Sequence, residues 1–436
     1  MNFKKGRASG DPTQTTGLMD KSPLTIGMIV MSYYPELCGG AERQCSRLVS
    51  ELLKRGYYVK ILTTRARRDT PVHSVEGCLE IIRLSRIDVF FPKPGIGKKK
   101  SVKKEKETRH ISEPDQPRFG KISFLAAEVV QFINILIFMA GSARVLYKLR
   151  NEVDIWHMHV AALTAGWCSY VANKLRIPMI CKGANLPVFP AEASVPWRQW
   201  LNGLRQKLFF VALTEEMSAD LRKNGISESR ITIIPNGIDA ADISPRLDAD
   251  SNGSVLYVAN FTQPVENKAY DILFSAWLLV HRARPSAVLN IAGSGDHAPW
   301  SRFLRSNNAD GSVYFLGHID DLSELYSKAS IFVMPSRREG ISNALLEAQL
   351  AGVPAIVSDI PGNRTVVEDG VTGLVVPVDD IESFASAIVN LFDDAARRTE
   401  MGRQAHKRIV QNFSIQSVAD RYLELYARLG AEASKC

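Results

Sequence analysis

The sequence predicts an α/β protein of two doubly wound domains that face a central cleft. Three observations carry this. Residues 24–31 (LTIGMIVM) form a near-continuous apolar run, the pattern of a strand buried on both faces of a parallel sheet. Short runs of that kind alternate along the chain with stretches of helical periodicity, which implies parallel sheets covered by helices. The alternation lapses over residues 239–253, which are rich in Asp, Ser and Ala, and then begins again. A chain of 436 residues is long enough for two or three domains of ordinary size.

The elements follow in order. A loop with Pro35, Gly39 and Gly40 leads from the first strand into a helical pattern over 41–55. Gly56 ends it, and 57–63 (YYVKILT) is the next strand, completing a βαβ unit. Residues 154–159 (DIWHMH), 179–182 (MICK), 210–213 (FVAL) and 231–234 (ITII) read as further strands. The last is closed by the turn Pro235, Asn236, Gly237. Beyond the linker, strands are expected at 255–258, 287–292, 313–316, 331–334 and 355–358, with helices at 271–283, 322–328 and 343–350. The expected division is a disordered polar tail (1–22), a first domain (23–240), a second domain (251–412) and a last helical segment (413–436). No signal peptide is visible in the tail, which lacks an apolar stretch.

Composition narrows the class. Six cysteines without any C-x-x-C argue against a zinc site or disulfide framework and fit a reducing compartment. The net charge is +8, and much of the excess lies in a basic insertion (93–118), where residues 93–109 hold eight Lys or Arg against two Glu. Such a loop is either a solvated insertion or an attraction to an anionic membrane surface, at about 1 kcal/mol per basic residue near it. Nucleic acid is disfavoured, because no aromatic residues interleave the charges. The apolar segment 122–149 follows, interrupted by Glu128 and Gln131. Its uncharged core is too short to span a bilayer, which needs ~20 apolar residues. Burial against the domain or shallow insertion in one leaflet remains open for it.

The chemistry is concentrated in residues 335–347, PSRREGISNALLE. A strand ends before it, and Ser342 or Asn343 can cap the helix that carries Glu347. The helix start leaves N–H groups free and carries partial positive charge, which suits a diphosphate. Glu339 in the loop and Glu347 on the helix flank that start. Glu339 is expected to take sugar hydroxyls and Glu347 a ribose diol, with the backbone of Gly340, Ile341 and Ser342 beside the phosphates between them. A nucleotide sugar has that order of groups.

These strings together resemble the retaining glycosyltransferases of family 4. The match includes the E-x7-E segment 335–359, Asp369-Gly370-Val371-Thr372-Gly373-Leu374, Ile234-Pro235-Asn236-Gly237-Ile238-Asp239, Gly39-Gly40-Ala41-Glu42 and Asp154-Ile155-Trp156-His157-Met158-His159. It covers roughly residues 24–430. The resemblance implies the GT-B fold of two Rossmann-like domains, with the last helix crossing back to the first. It implies a transferase that moves a sugar from a UDP- or GDP-sugar to a glycan or lipid-linked acceptor, with retention, in cell-surface polysaccharide or glycolipid biosynthesis. The alternatives are a non-catalytic nucleotide-sugar-binding partner subunit and a nucleotide-sugar epimerase of the same fold.

Residue by residue, the resemblance assigns Lys268 to the donor diphosphate, Gly39 and Gly40 to close backbone approach, and His159 to the transferred sugar. His157 competes with His159, because residues two apart share one strand face. Lys182 stands where relatives often carry His and marks the acceptor side, facing an acceptor phosphate. The family Arg has no counterpart at Ala259-Asn260-Phe261. Arg337 or Arg338 could replace it, or both are exposed loop residues. No D-x-D occurs in the matched stretches, so no metal or other cofactor is required. The expected location is cytoplasmic, peripheral on the inner face of the membrane.

Overall fold

The computed structural model describes residues 24–31, 33, 40–65, 70–85, 121–159, 163–183, 188, 208–243, 254–261 and 265–433. At 121–131, 163, 265, 266, 432 and 433 it describes the backbone alone. The tail 1–22, Pro35, Gly39, the basic insertion 93–118 and residues 244–253 of the linker lie outside the described residues.

Two sheets form. The first contains β1 (Thr25–Ile29), β2 (Tyr58–Thr64), β3 (His73–Glu76), β4 (Leu79–Leu84), β5 (Ile155–Met158), β6 (Met179–Lys182), β7 (Phe209–Ala212) and β8 (Ile231–Ile233). Its order is β3-β4-β2-β1-β5-β6-β7-β8. The second contains β9 (Ser254–Val258), β10 (Val288–Ala292), β11 (Val313–Gly317), β12 (Ile331–Met334), β13 (Ala355–Ser358) and β14 (Gly373–Val376), in the order β11-β10-β9-β12-β13-β14. Every pairing is parallel except β3 with β4.

The apolar runs behave as two-sided burial requires. In β5, β6, β12 and β13 every residue is buried. The antiparallel pair β3–β4 is one of the elements that the sequence did not announce; β14 and the helices Ala298–Ser306, Pro361–Val366, Ile381–Asp393 and Ala395–Asn412 are others. The strands β3 and β4, HSVE and LEIIRL, lie at the edge and are exposed or half-buried, so neither needed a continuous apolar run.

The segment expected at 122–149 is a helix, Lys121–Lys148. Phe138, Ser142 and Leu146, spaced four apart, are buried on one side. A side chain at Gly141 would collide with Leu84, so the helix lies tight on β4. The helix Ile415–Ala433 packs on the first sheet. Its Ile415, Val418, Tyr422, Leu425 and Tyr426 share a core with Ile26 and Met28 of β1 and with Cys45, Leu48 and Leu52 of the helix Gly40–Lys54. Ile238 bridges Ser414 at its start, where Ile415 N–H donates to Ile238 O (2.8 Å).

Candidate active site

Strand order fixes where a site can form. In the first sheet β1 lies between β2 and β5, and in the second β9 lies between β10 and β12. Each is a point where chain connections diverge to opposite sides, leaving a crevice at the carboxyl ends of the strands. The two crevices share one cavity of about 730 Å³. Gly40 beyond β1, His159 after β5, Ala259 and Asn260 after β9, and Glu339 after β12 all line it.

The donor side is built on the helix Asn343–Leu350. Ser342 is its N-cap with extended backbone, and its side chain makes no capping bond, so the first N–H groups face the cavity without that partner. The helix ends where Gly352 takes φ 76°, its N–H donating to Gln349 O (3.1 Å), and Pro354 follows. The loop before the helix is held by close packing. A side chain at Gly362, in the helix Pro361–Val366, would meet Gly340 O at 1.9 Å. Arg337 N–H donates to Asn267 O (2.9 Å), which ties this loop to the short helix Val265–Lys268. Lys268 Nζ donates to Glu339 Oε2, forming an ion pair in the cavity wall. Ala269 follows in a left-handed conformation, φ 51°.

Glu347, 7% exposed, is bracketed from both domains. Tyr326 O–H donates to its Oε2 (3.1 Å), and Arg47 of the first domain donates to its Oε1 (3.0 Å). Arg47 also pairs with Asp242 (3.2 Å). Beside this, Gln44 Nε2 donates to Asn343 Oδ1 (2.6 Å) and Gly237 O (2.8 Å), while Gly237 N–H donates back to Gln44 Oε1 (2.9 Å). Asn236 Nδ2 donates to Ile341 O (2.8 Å). The P-N-G turn and the first helix thus hold the donor loop from across the cleft.

The opposite wall holds two histidines and a lysine. His157 and His159 stack, with ring centroids 4.1 Å apart. His157 shares a hydrogen bond with Tyr426 Oη (2.8 Å). His159 lines the cavity, and neither of its ring nitrogens has a partner. Burial holds both imidazoles well below the usual histidine pKa, with the Lys182 charge adding to the effect. Burial likewise lowers Lys182 to about 8.

Of the residues singled out in the sequence, Gly40, His159, Lys182, Lys268, Glu339, Gly340, Ile341, Ser342 and Glu347 all line this cavity. Arg337 does not. Its guanidinium donates to both oxygens of Asp271 (3.0 and 2.7 Å) and to Asp379 (2.5 Å), which turn it away from the cleft. Arg338 is exposed and is not in the wall either, so neither replaces the family Arg there. Arg43, which sequence reasoning passed over, does line the cavity. Gln44, Arg47 and Tyr326 were also missed. Gln44 and Arg47 sit three apart on a helix whose apolar pattern drew attention to the other face.

Two doubly wound domains share one cleft, and in it paired glutamates flank a helix start. Residues 38–242 match the family model described as Glycosyltransferase Family 4, and residues 252–394 match Glycosyl transferases group 1. The chain belongs to this glycosyltransferase family, and its fold is GT-B. It is 26% identical over 302 residues to the UDP-Gal:alpha-D-GlcNAc-diphosphoundecaprenol alpha-1,3-galactosyltransferase of Escherichia coli, covering 64% of this chain and 77% of that one. It is 31% identical over 183 residues to the lipopolysaccharide core biosynthesis glycosyltransferase LpsE of Rhizobium meliloti, covering 42% of this chain and 52% of that one. The fold is similar to that of sucrose-phosphate synthase from Thermosynechococcus elongatus (TM-score 0.68, 19% identity, 94% of this chain and 100% of that one). It is also similar to Anabaena HepE in complex with UDP and glucose (TM-score 0.64, 15% identity, 93% and 100%).

Proposed function

We propose that the protein transfers a sugar from a UDP- or GDP-sugar to a glycan or lipid-linked acceptor with retention of configuration. The observation that carries this is Glu339 and Glu347 flanking one helix start in a cavity that also holds Lys268 and His159. The diphosphate would lie at the helix start and take over Lys268 from Glu339. Glu339 then accepts from sugar hydroxyls and Glu347 from the ribose. His159, kept neutral by burial, offers both a donor and an acceptor to the sugar without adding charge.

In the reaction the acceptor oxygen bonds to the anomeric carbon on the face from which the diphosphate leaves. The acceptor proton passes to the departing phosphate oxygen. The products are the glycosylated acceptor and a nucleoside diphosphate. Lys268 and the free N–H groups stabilise charge that grows on the leaving group, and Arg43 is a further cation in the wall. No metal or other cofactor enters the scheme, and the nucleotide sugar is the co-substrate. Closing of the cleft keeps water from the donor.

Donor turnover tests the proposal. The wild type is expected to consume one donor from a panel of UDP- and GDP-sugars, and Glu339→Ala to do so about 10²-fold more slowly with its melting midpoint kept. Equal turnover by both would sink it.

A second observation supports a membrane-surface location. Among the described residues no helix is long and apolar enough to cross a membrane. The helix Lys121–Lys148, just after the basic insertion, leaves Phe132 and Leu136 43% and 47% exposed, four residues apart on one side. Exposed apolar side chains on that helix and a basic insertion just before it in the sequence would suit the inner face of an anionic membrane and a lipid-linked acceptor there. In a flotation assay, deletion of residues 95–109 is expected to weaken binding to anionic vesicles. Unchanged binding would rule that role out.

A further inference from the structure

The first-domain wall of the cleft carries a charge that the diphosphate contacts proposed above do not use. Lys182, at the carboxyl end of β6, is 5% exposed and lines the cavity. No carboxylate among the described residues pairs with it. The Tyr422 ring lies 6.0 Å from Nζ, the far limit of a cation–π contact.

The groups around it come from three elements. Cys45 lies on the helix Gly40–Lys54, His157 and His159 at the end of β5, and Tyr422 and Tyr426 on the helix Ile415–Ala433. Burial pushes the thiol and both phenols up and both imidazoles down, so each of them is neutral near pH 7. A buried ammonium among neutral groups is costly unless something pairs with it. His159 beside it, 1% exposed, has two unpartnered ring nitrogens. The cavity is the side from which a partner can come.

We propose that Lys182 and His159 form an anion-recognition subsite for a carboxylate or phosphate carried by one of the two sugar substrates. The inference rests on the transferase reading above. Two sources have that chemistry: a uronate on the donor sugar, or a phosphate on the acceptor. Either would pair with the ammonium and accept from the neutral imidazole. The anion would fix its sugar against the wall opposite Lys268 and Glu339. Specificity for a charged substrate would then reside in the first domain, apart from the diphosphate contacts.

Calorimetric titration of the full chain at pH 7 tests this. The probes are inorganic phosphate, methyl glucuronide and the neutral methyl glucoside, each added with saturating UDP and again without it. The wild type is expected to bind phosphate or the glucuronide in preference to the glucoside. Phosphate points to the acceptor, the glucuronide to the donor sugar. Lys182→Met is expected to weaken that probe at least about tenfold, and Lys182→Arg to retain most of it, because a charged hydrogen bond is lost only in the first. UDP affinity should be the same in all three proteins. Probe affinity in the wild type should fall as pH rises through about 8, where the free ammonium gives up its proton. Lys182→Met should melt no lower than the wild type, since it removes an unpaired buried charge.

Equal binding of every anionic probe by wild type and Lys182→Met would overturn the subsite. So would a matching loss of UDP affinity, which would make Lys182 a diphosphate ligand. A wild type that binds neither UDP nor GDP would contradict the transferase reading instead, and the probes without nucleotide would still decide the subsite.

Discussion

His157 and His159 share a strand face, and the environment separates them. His157 is locked to Tyr426, while His159 opens on the cavity with both nitrogens unpartnered. Both are neutral in the native state, with pKa values well below those of an unfolded chain. The unfolded state therefore takes up protons first as pH falls through about 6.5, and stability drops below that point. The slope is about 1.4 kcal/mol per pH unit for each histidine still neutral when folded. Denaturant melts between pH 7 and 5 should show this loss, and the double substitution His157→Asn with His159→Asn should flatten it. The D-x-x-H-x-H string pointed to this pair, but only the contact with Tyr426, 269 residues away, separates their roles. Arg337 is the same lesson reversed. The sequence left it open between a phosphate ligand and an exposed loop residue, whereas Asp271 and Asp379, 66 and 42 residues distant, hold it away from the cleft.

At the scale of elements, the helix Asn343–Leu350 was legible because its start, its stop and its flanking strands are all local signals. The S-N cap, the following Gly352 and Pro354, and the buried runs of β12 and β13 are read directly from the chain. The packing that positions its approach loop is not local. Gly362 lets the helix Pro361–Val366 rest on Gly340 O, and nothing in the P-G-N string announces that contact. Gly362→Ala is expected to push the loop carrying Glu339 aside. Donor turnover should fall more than tenfold, with stability reduced by about 1–3 kcal/mol as for other overpacked sites. Unchanged turnover and melting would show that the loop is free to move. The pair β3–β4 marks the opposite limit, since half-exposed edge strands need no apolar signature.

Across the whole molecule, the alternation of strands and helices was enough to give two doubly wound domains, and strand order then puts both crevices on one cleft. What the sequence could not supply is how the cleft is held. Gln44, Asn236 and Asn343 join the domains by hydrogen bonds, and Arg47 already occupies the carboxylate of Glu347 proposed for the ribose. Donor binding must therefore share or displace an interdomain contact, which couples the nucleotide to the positions of both domains. The measurement that bears most directly on the central claim is the melting midpoint of the full chain across a panel of UDP- and GDP-sugars and their parent nucleotides. A donor present at about 100 times its Kd should add about 2.7 kcal/mol to stability. The account predicts that one nucleotide series raises the midpoint of the wild type and that Glu347→Ala loses the rise. A midpoint that no nucleotide sugar moves, or an equal rise in Glu347→Ala, would contradict it.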